Sequence, residues 1–361
     1  MTIIKDQPAK NEPIEDYFSS NIKPEKIMQD IGQITDIAWG LGRTAILVAA
    51  LELKIFDYIS QGYENPESIA RVSDADLQGI KLLLNSLVEL NFVQKISDNR
   101  YLLCEHTGNY LTQDSPLYVG HMWKVHKYLN WNVWNQLSES IQTGKPVENL
   151  FSFHKNQLWE IVIPYLDSLA KPIALYIIDL LKLQTKKSKF SILDVGCGSG
   201  IYGQVFAKCN PNLNVLGIDQ DNVLQIARSR AVKMQVEKQL EYLSGDFNEI
   251  SFGQGFDAVL FSNIFHGFDR DINIRLMQKA FSSLQAGGTI VINEFMRDER
   301  EIDTPTKVPT ILSLHFHLVG QGQVYNYSDY KSWLTSCGFA DVRLYPLSGQ
   351  SSIILATKPE D

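Results

Sequence analysis

The chain has 361 residues, 44% of them hydrophobic and 20% charged, with a net charge of −8. That describes a globular protein long enough for two domains, and its acidic balance argues against nonspecific nucleic-acid binding. The four cysteines, Cys104, Cys197, Cys209 and Cys337, form no C-x-x-C pair. Scattered thiols fit a reducing, cytoplasmic setting better than disulfides or a zinc site.

Residues 1–26 are polar and mixed in charge, with no apolar core of a signal peptide, and read as a mobile lead-in. No apolar run approaches 18 residues without a charge, so no membrane span is expected. Residues 27–184 read as largely helical. A helix is expected over 44–53, a short one over 66–71, and a third opening at Asp74-Ala75-Asp76-Leu77 and running to Leu90. Two strands, 92–95 and 100–103, flank Ser97-Asp98-Asn99 as a hairpin. Helix, helix and two-stranded wing make a winged helix-turn-helix, which raises DNA binding as a competing function. Charge argues against it. Residues 67–103 hold four cations against five acids, and the would-be recognition helix carries one lysine, Lys81. A DNA reader needs several cations per module. The segment is too apolar for a lone surface and is expected to pack on a second subunit. Next come Met122, Trp123, His126, Tyr128, Trp131 and Trp134, an aromatic-rich stretch that suits a flat, apolar acceptor or, equally, helix packing. A long helix over 159–183 follows.

The run Ile192-Leu193-Asp194-Val195-Gly196-Cys197-Gly198-Ser199-Gly200 is a strand ending in an acid and then a glycine turn. A second apolar run, Val215-Leu216-Gly217-Ile218, ends in Asp219. Glycines let the backbone turn sharply and admit a ligand where a Cβ would clash, and an acid at the second strand's tip can accept from two ribose hydroxyls. An adenosine-containing cofactor is expected. The spacing is G-x-G-x-G, not the dinucleotide G-x-G-x-x-G, and an acid just before it would repel a pyrophosphate yet suit an ammonium group. Further strands are expected at 240–247, 256–263 and 287–295, with helices over 222–236 and 271–284 between them, and a closing hairpin of 340–347 and 351–357 around Ser348-Gly349. Alternation of this kind is a doubly wound α/β sheet.

The D-V-G-C-G-S-G run closely resembles the first motif of class I S-adenosylmethionine (SAM) dependent methyltransferases. The resemblance implies that Asp194, Gly196, Gly198 and Gly200 hold the methionine end. Asp219, with Gln220 beside it, would hold the ribose. Asp246 and Phe247, in Gly245-Asp246-Phe247, would hold the adenine, and Asn263 lies at the tip of the next strand. With the helical first half, and with Trp131 to Pro146 similar to a W-x-x-L…T-G-x-P stretch, the whole chain resembles small-molecule O-methyltransferases typified by plant caffeic acid O-methyltransferases and their bacterial natural-product relatives. This implies a Rossmann-like class I methyltransferase domain over 185–361, preceded by a mainly α-helical winged-helix dimerisation domain over 27–184. The protein would be a homodimer that binds SAM and a small-molecule acceptor, with no nucleic-acid or membrane partner.

Methyl transfer to a hydroxyl needs proximity and a proton acceptor. His266 lies just past the fourth strand, in Asn263-Ile264-Phe265-His266-Gly267-Phe268-Asp269. The family segment reads H-D-W and its histidine is the general base; His266 matches, while Gly267 and Phe268 replace the acid and the Trp. Glu294 matches a family Glu that orients the histidine. A second family Glu, in G-x-E-R-T, has no counterpart in Gly322-Gln323-Val324-Tyr325-Asn326-Tyr327. Trp123, His126, His315 and His317 are candidate acceptor residues. On a helix, His315 and His317 cannot share a face. No metal is assigned; an imidazole pair at His266 would be the way to hold one. C- or N-methylation of a similar acceptor, and a SAM-sensing winged-helix regulator, are the alternatives.

Overall fold

The computed structural model describes residues 23–147, 155–297, 308–319, 322–347 and 351–360. Two compact units result, one ending at Gly108 and the other beginning at Asn109. The expected boundary was residue 184, so residues 109–184 join the second unit.

In the first unit, helix α1 (Pro24–Ala38) begins with proline at its first position, where the missing N–H costs nothing. Residues 24–26 therefore open a helix behind Lys23, and residues 1–22 of the expected lead-in lie outside the described residues. α2 (Gly40–Glu52) and α3 (Ile55–Ser60) follow. Asn65 caps α4 (Pro66–Val72) by accepting from Ser68 N–H at 2.8 Å, and Asp76 caps α5 (Leu77–Glu89) through Gly79 N–H at 2.8 Å. Strands β1 (Val93–Ser97) and β2 (Arg100–Leu103) form the expected antiparallel hairpin. Helix α6 (Glu105–Leu111) comes next.

The second unit is built on a seven-stranded sheet. Its strands are β3 (Phe190–Val195), β4 (Leu213–Asp219), β5 (Leu240–Ser244), β6 (Phe256–Ser262), β7 (Leu284–Glu294), β8 (Ala340–Pro346) and β9 (Ser352–Thr357). Their spatial order is β5-β4-β3-β6-β7-β9-β8, with β9 antiparallel to both β7 and β8. The closing hairpin is thus present, though its expected turn at Ser348-Gly349 lies outside the described residues. β7 starts three residues before the expected glycines, because Leu284 already pairs with Phe256. Strand order reverses between β3 and β6, so the crevice at their carboxyl ends is where such sheets bind ligands.

Alternate strand residues enter opposite faces, as the pleat requires. Leu193, Val195, Val259, Phe261, Ile290 and Ile292 fill one core; Ile192, Ala258, Leu260 and Val291 fill the other. Helices α8 (Ile201–Cys209), α9 (Asp221–Met234) and α10 (Arg270–Ser283) cover the strands. The long helix α7 (Lys155–Leu180) also belongs here: Ala170, Ala174, Ile177 and Ile178 are buried against Ile192, Tyr202 and Phe206. That packing puts residues before 184 in the α/β unit. Helices α11 (Val308–Val319) and α12 (Tyr327–Ser336) follow β7. By length and composition, Pro24–Glu52 and Ile161–Leu180 are apolar enough to cross a membrane. Both carry charges that the sequence expectation relied on, and the second is this core helix.

Candidate active site

Everything assigned to cofactor and chemistry converges on the carboxyl edge of the sheet. Between β3 and α8, Gly196, Gly198 and Gly200 adopt φ of 67°, 57° and 74°, a left-handed turn that L side chains resist. Space is short as well: a Cβ on Gly196 would lie 2.4 Å from Ile264 Cδ1 and 3.5 Å from Phe247 Cε1. The turn is tied to β4 by Gly198 N–H, which donates to Asp219 Oδ2 at 2.8 Å, while Gln220 N–H donates to Asp219 Oδ1 at 2.7 Å. Each carboxylate oxygen keeps a lone pair for a hydroxyl. Burial raises the Asp219 carboxyl, opposed by those two N–H groups.

Asp194 is 2% exposed, and its Oδ2 has no hydrogen-bond partner among the described residues. Burial, and then the charge of Asp219, pushes its carboxyl up to about 7. A buried acceptor without a donor is costly, and an ammonium group answers it. Asn263, at φ 56°, also presents a buried, unpartnered Oδ1 among the described residues. Asn tolerates this left-handed geometry better than most residues. Phe247 stands over the glycine turn and meets Phe268 edge-on at 5.8 Å. Asp246 is exposed and its Oδ1 accepts from Asn248 N–H at 2.8 Å, so it also shapes its own turn. These residues fit an adenosyl-methionine ligand: an acid for the amine, an acid for the ribose and an aromatic face for the base.

The tips of β6 and β7 bring the second group together. His266 Nδ1, in the loop after β6, lies 2.7 Å from Glu294 Oε1 at the end of β7. Glu294 is fully buried; it also accepts from Phe295 N–H at 2.8 Å and from His266 N–H at 3.3 Å. A carboxylate only accepts, so in the neutral ring Nδ1 carries the hydrogen and Nε2 the lone pair. The imidazole lies flat on Phe316, centroids 4.3 Å apart and planes 12° from parallel. Its loop is held from four sides. Asn263 N–H donates to Asn293 O, Asn273 Nδ2 to Phe265 O, Gln323 N–H to His266 O and Tyr325 OH to Phe268 O, all between 2.8 and 2.9 Å.

The expected histidines separate on α11. His315 stacks on Trp134 at 5.8 Å, while its neighbour Phe316 takes the face toward His266. His126 lies in a π-helical turn, His126–Asn130, with Nδ1 3.2 Å from Asn130 Nδ2. Burial holds both imidazoles below the ordinary histidine range, and His126 adds to the effect on His315. Trp123 packs on Tyr128 at 6.0 Å, under the ammonium groups of Lys124 and Lys127. His317 is partly buried. Among the described residues no cluster of three or more His, Cys, Asp and Glu is arranged for a metal.

Three contributors escaped sequence reasoning. Phe316 and Phe295 pack on the His266 ring. Gly322, at φ 77°, passes so close that a Cβ would sit 1.4 Å from His266 O. A glycine 56 positions downstream carries no local mark of that approach. At Gly267 a Cβ would meet nothing within 4 Å, so the residue that replaces the family acid opens space.

The family model described as an O-methyltransferase domain matches residues 134–340, more than half of the chain. The chain belongs to this family of O-methyltransferases, and it is a SAM-dependent methyltransferase. It is 25% identical to a 3-hydroxy-5-methyl-1-naphthoate 3-O-methyltransferase of Streptomyces sahachiroi, over 90% of this chain and 94% of that one. It is 21% identical to a bacteriochlorophyllide d C-20 methyltransferase of Chlorobaculum tepidum, over 84% and 90%. Human N-acetylserotonin methyltransferase in complex with SAM shares the fold, with a TM-score of 0.79 and 22% identity over 92% of this chain and 98% of that one.

One pH dependence follows. The Asp194 carboxyl rises from 3.8 to about 7 on folding. The folded protein thus holds a proton that the unfolded chain has lost, and stability falls as pH rises from about 4 to about 7. Without ligand, Asp194→Asn should melt several degrees above wild type at pH 8, with the gap closing toward pH 4. Calorimetric melting curves showing equal stability at pH 8 would contradict the assignment.

Proposed function

We propose that this enzyme O-methylates a small-molecule acceptor in natural-product biosynthesis, with His266 as general base and Glu294 as the group that orients it. The observation that carries this is the 2.7 Å contact between His266 Nδ1 and buried Glu294, at the mouth of the cofactor crevice. SAM supplies an electrophilic methyl group on a sulfonium, so the acceptor oxygen gains a bond to carbon as the carbon–sulfur bond breaks. His266 Nε2 takes the hydroxyl proton, and Glu294 holds the resulting imidazolium in place. Asp194 and the turn Gly196, Gly198 and Gly200 hold the methionine end. Asp219 and the Gln220 N–H next to it frame the ribose, Asp246 and Phe247 flank the adenine, and Asn263 closes the same crevice. His126, His315 and Trp134 line the acceptor side, with Trp123 and His317 at its rim. Half-buried imidazoles and indoles favour a flat acceptor with polar substituents.

The carbon-methylating relative from Chlorobaculum tepidum supports a second reading, C-methylation of a similar acceptor. The base separates the two. His266→Ala should cut turnover about 10²-fold or more with SAM binding intact. Glu294→Gln should cut it less, since an amide still holds the ring but does not stabilise its charge. Mass spectrometry of products from SAM with a panel of phenols, enols and keto acids reads the outcome. Near-normal turnover in His266→Ala points to transfer by proximity alone.

The first unit serves, in this reading, as a winged-helix dimerisation domain of a cytoplasmic homodimer. All four cysteines are free thiols, in keeping with that compartment. On α1 no residue is buried, and Met28, Ile31, Ile34 and Ile37 are 70%, 48%, 67% and 80% exposed. Such a stripe at helical spacing marks an interface. Lys26–Asp30 and Arg43–Asp36 ion pairs interrupt it, which suits a protein partner better than lipid. Light scattering should give a dimer for wild type and a monomer for Ile34→Asp with Ile37→Asp. A monomeric wild type at micromolar concentration would refute the dimer.

A further inference from the structure

Asp167 lies on α7, well before β3 in the chain, and is 8% exposed. Both of its carboxylate oxygens are committed. Oδ1 accepts from Ser199 Oγ at 2.5 Å, and Oδ2 is ion-paired with Arg230 of α9. Ser199 stands between Gly198 and Gly200 and is itself 4% exposed. Its carbonyl accepts from Gln204 Nε2 at 2.8 Å. One carboxylate therefore joins the long helix, the cofactor turn and the helix that follows Asp219.

We propose that Asp167 is a positioning residue for SAM, holding the glycine turn in its binding conformation through the hydroxyl of Ser199. The inference rests on the reading of that turn as the cofactor seat. Its physical basis is the freedom of the glycines. A turn with three left-handed glycines has many alternative conformations. Within it only Cys197 and Ser199 carry side chains that packing or hydrogen bonds can hold. Cys197 Sγ is held by the absence of a side chain at Gly217, where a Cβ would lie 2.8 Å away. Ser199 is held by Asp167. Without that acceptor the buried hydroxyl is left unsatisfied and the turn relaxes, so ligand binding must order it again. The ion pair to Arg230 alone would be weak evidence for any role, since buried pairs are often replaceable. The hydroxyl donated from the cofactor turn is what gives Asp167 a function.

The test is calorimetric titration of the full-length protein with SAM and with S-adenosylhomocysteine, beside melting curves. Asp167→Ala should raise the Kd about tenfold. Asp167→Asn keeps an oxygen for Ser199 and should stay within about threefold of wild type, although the ion pair is gone. Arg230→Met should lower the melting temperature and leave the Kd unchanged. Ser199→Ala should match Asp167→Ala, and the double variant should be no weaker than either single. If Asp167→Ala does not fold, Ser199→Ala decides alone, and an unchanged Kd overturns the proposal. Equal losses in Asp167→Ala, Asp167→Asn and Arg230→Met also overturn it, because they describe general loosening. Asp219→Ala separates this from the site reading: if it too binds SAM normally, the cofactor seat itself is misplaced. If Asp219→Ala binds weakly while Asp167→Ala and Ser199→Ala bind normally, only the brace fails.

Discussion

A carboxylate buried at the end of a strand governs this active site. Glu294 is shielded from water, so its charge has to be met by the protein. Two backbone N–H groups and the His266 ring meet it. Hydrogen bonds to charged groups contribute roughly 1.5–3 kcal/mol each, enough to fix the loop after β6 against the tip of β7. The same bonds select the imidazole tautomer. Loop position and proton chemistry are thus set by one residue, and Phe316, Gly322 and Gln323 close around the result.

In the proposed reading, the sheet separates donor from acceptor. On the β3–β4 side lie two acids, Asp194 and Asp219, and a turn whose conformation only glycine adopts freely. On the β6–β7 side lie the imidazole, its carboxylate and aromatic rings. Ile264 and Phe247 touch both territories, since each stands over Gly196 while Phe247 also meets Phe268. Under the proposed function, a methyl group at this boundary would have the acceptor on one side and the sulfonium on the other. That arrangement is what transfer by displacement requires.

Local chemistry was legible in the sequence and distant contacts were not. The run from Asp194 to Gly200 declares itself because strand, acid and glycines are consecutive. The strands and most helices were readable for the same reason, since periodicity is local. The pairing of His266 with Glu294 was reached through the family pattern and not from spacing, as the two are 28 positions apart. Asp167 looks like any polar position on an amphipathic helix; only the fold brings Ser199 and Arg230 to it. The compact units divide after Gly108 and not at 184, because the glycine motif marks only where a new strand begins. It says nothing of which earlier helix packs on that sheet, and Ala174 and Ile177 do. Phe316 was hidden between two histidines that drew the attention.

Base catalysis at this site depends most directly on the protonation of one ring. Nitrogen NMR of the protein labelled at histidine, assigned with the His266→Ala spectrum, reports which nitrogen carries hydrogen in the neutral imidazole. Protonated Nδ1 and bare Nε2 are predicted for wild type, with the preference lost in Glu294→Ala, which removes the acceptor. A neutral His266 protonated at Nε2 would contradict the account, because that ring has no lone pair to offer an acceptor hydroxyl.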